Sequence, residues 1–128
     1  AYIASAAAGC NYCQAHTSHG AHARGVSSEK IEALWLYETS PLFSDAERAA
    51  LQLSQSAASV PNQATQAHFD AAKAHFDEAQ VAEIIAVVAT FGFLNRWNDS
   101  LATDIEDNPL AFAETHLAAT DWTPPRNK

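Results

Sequence analysis

The run GCNYCQAHTSHGAH, Gly9 to His22, returns a cysteine or histidine at every third position: Cys10, Cys13, His16, His19 and His22. Such side chains ligate metals, close disulfides, move protons or attack electrophiles, and the spacing has to choose among these. In an α-helix each third residue drifts by about 60° and the axis rises about 1.5 Å per residue, so Cys10 and His22 lie roughly 18 Å apart. The five cannot converge on one ion. Cys10, Cys13 and His16 could supply three ligands, with a fourth from His68, His75 or His116, and a zinc-stabilised interaction module is therefore one reading. No second ligand pair supports it, and the site is expected to hold no metal. CNYCQ lacks a histidine directly after the second cysteine, which excludes covalent haem attachment.

Redox chemistry fits the spacing better. Gly9 can end one helix, which places Cys10 where the next begins, among unpaired backbone N–H groups that favour an anion. A thiol pKa lowered there from about 8.5 to about 6.5 raises the thiolate fraction at neutral pH more than tenfold. Cys10 and Cys13, one turn apart, have Cα atoms about 5 Å from each other, within disulfide range when one of them sits at a helix boundary. His16, one further turn along, is placed to accept the Cys13 proton or to stabilise a thiolate. The bland alternative is that all three are packing groups on an alanine-rich helix. The pair spacing, the glycine boundary and the following histidine together favour chemistry. His19 and His22 read as solvated or interface side chains.

The elements that position this stretch are helical throughout. AYIASAAA stops at Gly9, and a second helix runs from about Cys10 to Arg24 and stops at Gly25. VSSEKIEALWLYE, with a serine cap and Ile31, Leu34 and Trp35 on one face, ends before Ser40-Pro41. SDAERAALQLSQSAA opens with Ser44 and Glu47 at capping-box spacing, and NQATQAHFDAAKAHF follows Val60-Pro61. FDEAQVAEIIAVVATFGFLNRWNDSLA pairs Asp77 with Gln80 and Phe76 with Val81, and is apolar on nearly every side from Val81 to Leu94. That pattern predicts a central, buried helix. Phe91 and Trp97 read as core, and Asn95, Arg96 and Asp99 as ties between helices or subunits. Residues 104–128 are expected to be a mostly irregular tail with one short helix at best. The class is all-α, in a single domain over 1–128.

With 128 residues, 48% hydrophobic and 17% charged, the chain can bury a core. A net charge of −8, from 15 acidic and 7 basic residues, argues against nucleic acid as a partner. No segment reads as a signal peptide or as long enough in apolar residues to span a bilayer, so a soluble, cytoplasmic domain is expected, with no membrane partner. The first residue is not methionine, and upstream helices are expected to precede Ala1.

The stretch AAAGCNYCQAHTSHGAHARGVSSEKIEAL resembles the core motif of the carboxymuconolactone decarboxylase-like superfamily, in its alkylhydroperoxidase D-like branch. The long FDEAQVAEIIAVVATFGFLNRWNDSLA and the tail HLAATDWTPPRNK are similar to later parts of the same pattern. The resemblance implies an all-helical antioxidant fold that assembles as a homo-oligomer, commonly a trimer or hexamer. It implies Cys13 as the peroxidatic cysteine, Cys10 as the resolving one and His16 as a proton-relay histidine. Two departures stand out. His16 comes one residue earlier than the family's histidine, whose place Thr17 holds. The family's upstream glutamate has no counterpart in residues 1–9, which contain no acid. The decarboxylase branch lacks the cysteine pair, which argues against that activity.

The expected function is thus a thiol-dependent hydroperoxide reductase. Cys13 would attack the peroxide to give a sulfenic acid, Cys10 would condense with it to a disulfide, and an external dithiol would reopen the bridge, with no bound cofactor. A dithiol–disulfide oxidoreductase without peroxide chemistry is the rival enzyme reading.

Overall fold

Gly9 and Gly25 have φ of +73° and +98°, left-handed values that punctuate the chain on either side of the cysteine-bearing helix. The computed structural model describes residues 1–125. Among these it contains seven α-helices and no strand. They are α1 (Tyr2–Ala7), α2 (Asn11–Ala23), α3 (Ser28–Glu32), α4 (Asp45–Ala58), α5 (Gln66–Lys73), α6 (Glu78–Leu101) and α7 (Asp107–His116). The capping signals act where the sequence puts them. Ser44 and Glu47 form a reciprocal capping box at the start of α4, and Asp77 and Gln80 form one at α6. Ser27 caps α3, accepting from the Lys30 N–H at 3.2 Å. α3 is shorter than its pattern suggests: after Glu32 the chain tightens into a 3₁₀ turn, Leu34–Leu36, with Trp35 exposed.

Three apolar clusters hold the helices. Tyr2, Ala15, Ile31, Ala113, Leu117 and Trp122 join α1, α2, α3, α7 and the segment after α7. Ile3, Tyr37 and Phe43 form a second, and Leu53, Ala72 and Val81 join α4, α5 and α6 in a third. Phe76 packs into that third cluster beside Val81, as a hydrophobic staple requires. α2 packs against α1, α3, α6 and α7, so the cysteine helix is held from several sides.

Two expectations need correction. α6 is not a buried helix in the single chain: Val81, Val88 and Asn95 are its buried residues, while Phe93 and Trp97 are 62% and 56% exposed. The chain has too few elements to surround a helix that is apolar on every side, and α6 meets α1, α2, α4 and α5 through only part of its circumference. The expectation that no segment is long enough in apolar residues also fails, because α6 is long and apolar enough to cross a bilayer by length and composition alone. The segment after α6 contains one ten-residue helix, α7, which packs on α2 and α3. Of the tail expected over 104–128, residues 126–128 lie outside the described residues.

Candidate functional site

Cys10 is the N-cap of α2, with extended backbone, and its sulfur accepts the Cys13 N–H at 3.4 Å. Sulfur is a weaker acceptor than the serine or aspartate oxygen usual at this position, and it caps the helix more strongly as an anion. Both cysteines are free thiols and buried, 1% and 3% exposed. The Cys13 thiol hydrogen-bonds to the Cys10 sulfur, and chiefly for that reason the Cys10 pKa falls to about 7. Burial and the Asp99 carboxylate oppose the shift, and the backbone N–H groups of Cys13 and Tyr12 support it. Cys13 moves the other way, because its proton is held by the Cys10 sulfur, because it is buried, and because a second anion beside the first is repelled. Of the two, Cys10 is the one whose ionisation this geometry favours, and the ionisation of Cys13 is opposed.

Cys13 has a further neighbour that the sequence reading did not single out. Asn98, on α6, directs its side-chain N–H at the Cys13 sulfur at 3.7 Å while also donating to the Leu94 carbonyl at 3.0 Å. This is a weak donor to sulfur, and it opposes the rise in the Cys13 pKa. The signal that could have found it was proximity in sequence to Asn95, Arg96 and Asp99, read there only as structural ties. Of these, Asn95 is 3% exposed, and neither atom of its amide has a hydrogen-bond partner among the described residues.

His16 lies one turn beyond Cys13, but its ring nitrogens face elsewhere. Nδ1 contacts the Tyr12 carbonyl at 3.0 Å and Nε2 contacts the Glu106 carboxylate at 2.5 Å. Both partners are acceptors, so the arrangement is complete when the ring donates from both nitrogens. The Tyr12 ring stacks on the imidazole at 4.1 Å between centroids. Glu106 is the N-cap of α7, and its carboxyl is held below the ordinary value first by its own backbone N–H and then by His16. Residues 1–9 offer no acid, but the fold brings one to His16 from ninety residues downstream. His19 and His22 pack against Phe112 of α7, at 5.7 and 5.1 Å between ring centroids, as interface side chains.

The two sulfurs open onto different cavities. Cys13, His16 and Tyr12 line an apolar groove of about 690 Å³ between α2 and α6, whose far wall is Phe91, Leu94 and Trp97. Phe91 and Trp97, expected as core, are groove wall. Cys10 lines a smaller cavity of about 290 Å³ together with Asn11, Asp99 and Thr123. A larger space of about 860 Å³ lies between the ends of α1 and α4 and one face of α6, and neither sulfur reaches it. No group of three or more histidine, cysteine or acidic side chains arranged to hold a metal ion is present among the described residues.

Residues 1–56 match the sequence profile of the carboxymuconolactone decarboxylase family. Two solved structures superpose on the chain: the apo form of the debrominase Bmp8, and a cysteine-to-alanine variant of it in complex with 2,3,4-tribromopyrrole. Sequence identities are 38% and 37% and TM-scores 0.84 and 0.85. The matches cover 89% and 90% of this chain but 61% and 62% of the debrominase chains, so the chain spans about three-fifths of their length. No curated protein sequence matches.

Proposed function

We propose that this chain, whose residues 1–56 carry the pattern of the carboxymuconolactone decarboxylase family, is a dithiol-dependent reductase of apolar organic hydroperoxides. The observation that carries the reading is a pair of free cysteines at a helix start, Cys10 capping the helix with its sulfur and Cys13 lining an apolar groove. Cys13 attacks the terminal peroxide oxygen as its proton passes to the Cys10 thiolate, and the O–O bond breaks to release an alkoxide. His16, which lines the groove with Glu106 behind it, is the group we assign to supply a proton to that alkoxide. The Cys10 sulfur then displaces hydroxide from the Cys13 sulfenic acid, its own proton leaving with the hydroxide as water. Two electrons pass from the thiols to the substrate, and an external dithiol returns them. A homo-oligomer is the working state we assign, on the strength of the exposed apolar side of α6.

A second reading is favoured by the likeness to a debrominase and by the aromatic walls of the groove. A thiolate attacks halogen as it attacks peroxide oxygen. In that case ArBr and two thiols give ArH, a disulfide, a proton and bromide. One experiment separates the readings. Reduced protein is mixed with cumene hydroperoxide or with a brominated pyrrole, and thiol loss and bromide release are followed. Rapid oxidation by the peroxide without need of halide supports the first reading. A peroxide rate no faster than that of a free thiol removes it, and bromide release at that point establishes the second. Cys13→Ser should abolish either turnover, while Cys10→Ser should leave a sulfenic acid trappable with dimedone. The reverse pattern would exchange the two roles.

A further inference from the structure

We propose that the groove beside Cys13 takes long-chain carboxylic acids, and that Arg24 holds the carboxylate while the apolar chain runs back to the sulfur. This rests on the hydroperoxide reading above and names its substrate class, the hydroperoxides of fatty acids. The α2 side of the groove is one helical stripe. Cys13, His16, Thr17, Gly20, Ala21 and Arg24 follow one another in alternating steps of three and one, so they share a face. Phe91, Leu94, Trp97 and Asn98 form the facing stripe on α6. The Asn98 amide meets the Cys13 sulfur at 3.7 Å, which fixes where the two stripes join. From that point α2 carries the groove to its C-cap, Arg24, roughly 16 Å away at about 1.5 Å per residue.

The polar side chains between the two ends are already engaged. His16 contacts the Tyr12 carbonyl and the Glu106 carboxylate, and the Thr17 hydroxyl donates to the Cys13 carbonyl at 2.7 Å. Gly20 and Ala21 on one side, with Phe91 and Leu94 on the other, leave an apolar middle. Arg24 differs from all of these. Among the described residues it is the one lysine or arginine that lines the groove. Its Nη1 donates to the Gly20 carbonyl at 2.9 Å, and a Cβ at position 20 would stand 3.2 Å from that nitrogen, so the guanidinium is drawn back along α2 toward the sulfur. No carboxylate among the described residues pairs with it, although the chain has 15 acidic residues to 7 basic ones. One of five guanidinium donors is used, and the rest keep the planar fork that matches a carboxylate. The complement of this groove is therefore one carboxylate on an apolar chain, with the reacting carbon about a dozen carbons away at Cys13.

The test separates binding from turnover. Dodecanoate and dodecanol, equal in chain length, are titrated calorimetrically into the reduced protein. The acid is expected to bind roughly tenfold more tightly than the alcohol. Arg24→Gln should remove that difference, and Arg24→Lys, which keeps the charge but not the fork, should retain part of it. Leu94→Trp should weaken acid and alcohol alike, because both chains occupy the groove. Equal affinity for the two ligands, an acid preference that persists in Arg24→Gln, or full-strength binding by Leu94→Trp overturns the proposal. The 13-hydroperoxide of linoleic acid and its methyl ester carry the comparison into turnover, where the acid should show a KM lower by about tenfold, a gap that closes in Arg24→Gln. If dodecanoate binds as expected but no hydroperoxide consumes thiols faster than a free thiol does, the ligand class stands and the peroxidase reading falls. If acid and ester are reduced with equal KM, the peroxidase reading stands and the role of Arg24 falls.

Discussion

The hydrogen bond from the Cys13 thiol to the Cys10 sulfur ties the titration of one cysteine to that of the other. With Cys10 at about 7 and Cys13 shifted upward by its neighbour, the chain should hold one thiolate across the neutral to mildly alkaline range. Cys10 is the group whose pKa is depressed, so its anion appears as pH rises through about 7 and is lost as pH falls below it. Absorbance near the thiolate band should therefore rise with a midpoint near 7 and a plateau of one thiolate per chain. A midpoint near the ordinary cysteine value would contradict the capped geometry. Glu106 acts at the same scale. Glu106→Gln should lower turnover by about tenfold or more, Glu106→Asp should lower it less, and neither should move the Cys10 midpoint. If both variants turn over at full rate, the carboxylate has no part in proton movement.

Among the elements, α6 brings two properties together. One edge supplies Leu94, Trp97 and Asn98 to the groove, and its outer surface leaves Phe93 and Leu101 in solvent. Phe93 and Trp97 stack on each other at 5.9 Å between ring centroids, one turn apart. A second copy of the chain is the simplest cover for so much apolar surface on an otherwise acidic protein. The double variant Phe93→Ser, Trp97→Ser should shift the sedimentation profile toward monomer. An unchanged profile, whether monomeric or oligomeric, would mean that this surface does not hold copies together. Hydrophobic pattern alone could not make the distinction, because a helix surrounded by its own chain and one covered by a neighbour show the same periodicity.

Across the whole molecule, what was legible in the sequence was local. Gly9, Gly25, the Ser44–Glu47 and Asp77–Gln80 boxes and the cysteine spacing each depend on residues within a few positions of one another, and the helices begin and end close to them. The partners of the site are of a different kind. Glu106 lies 90 residues from His16, and Asn98 lies 85 from Cys13. Their roles follow from packing α7 and α6 against α2, which no local spacing encodes. The sequence therefore pointed to the sulfurs and the histidine but not to Asn98 and Glu106, which hydrogen-bond to them.

The indole of Trp122 donates to the Asn11 carbonyl at 2.9 Å, one residue beyond the Cys10 cap. That bond gives the protein a built-in optical gauge. Closing a bridge at Cys10 must pull on the backbone to which this ring is tied, so emission from the protein should step once on oxidation and return on reduction, without any added dye. The step should survive Trp35→Phe and disappear in Trp122→Phe; its survival in the latter would place the light-reporting change elsewhere.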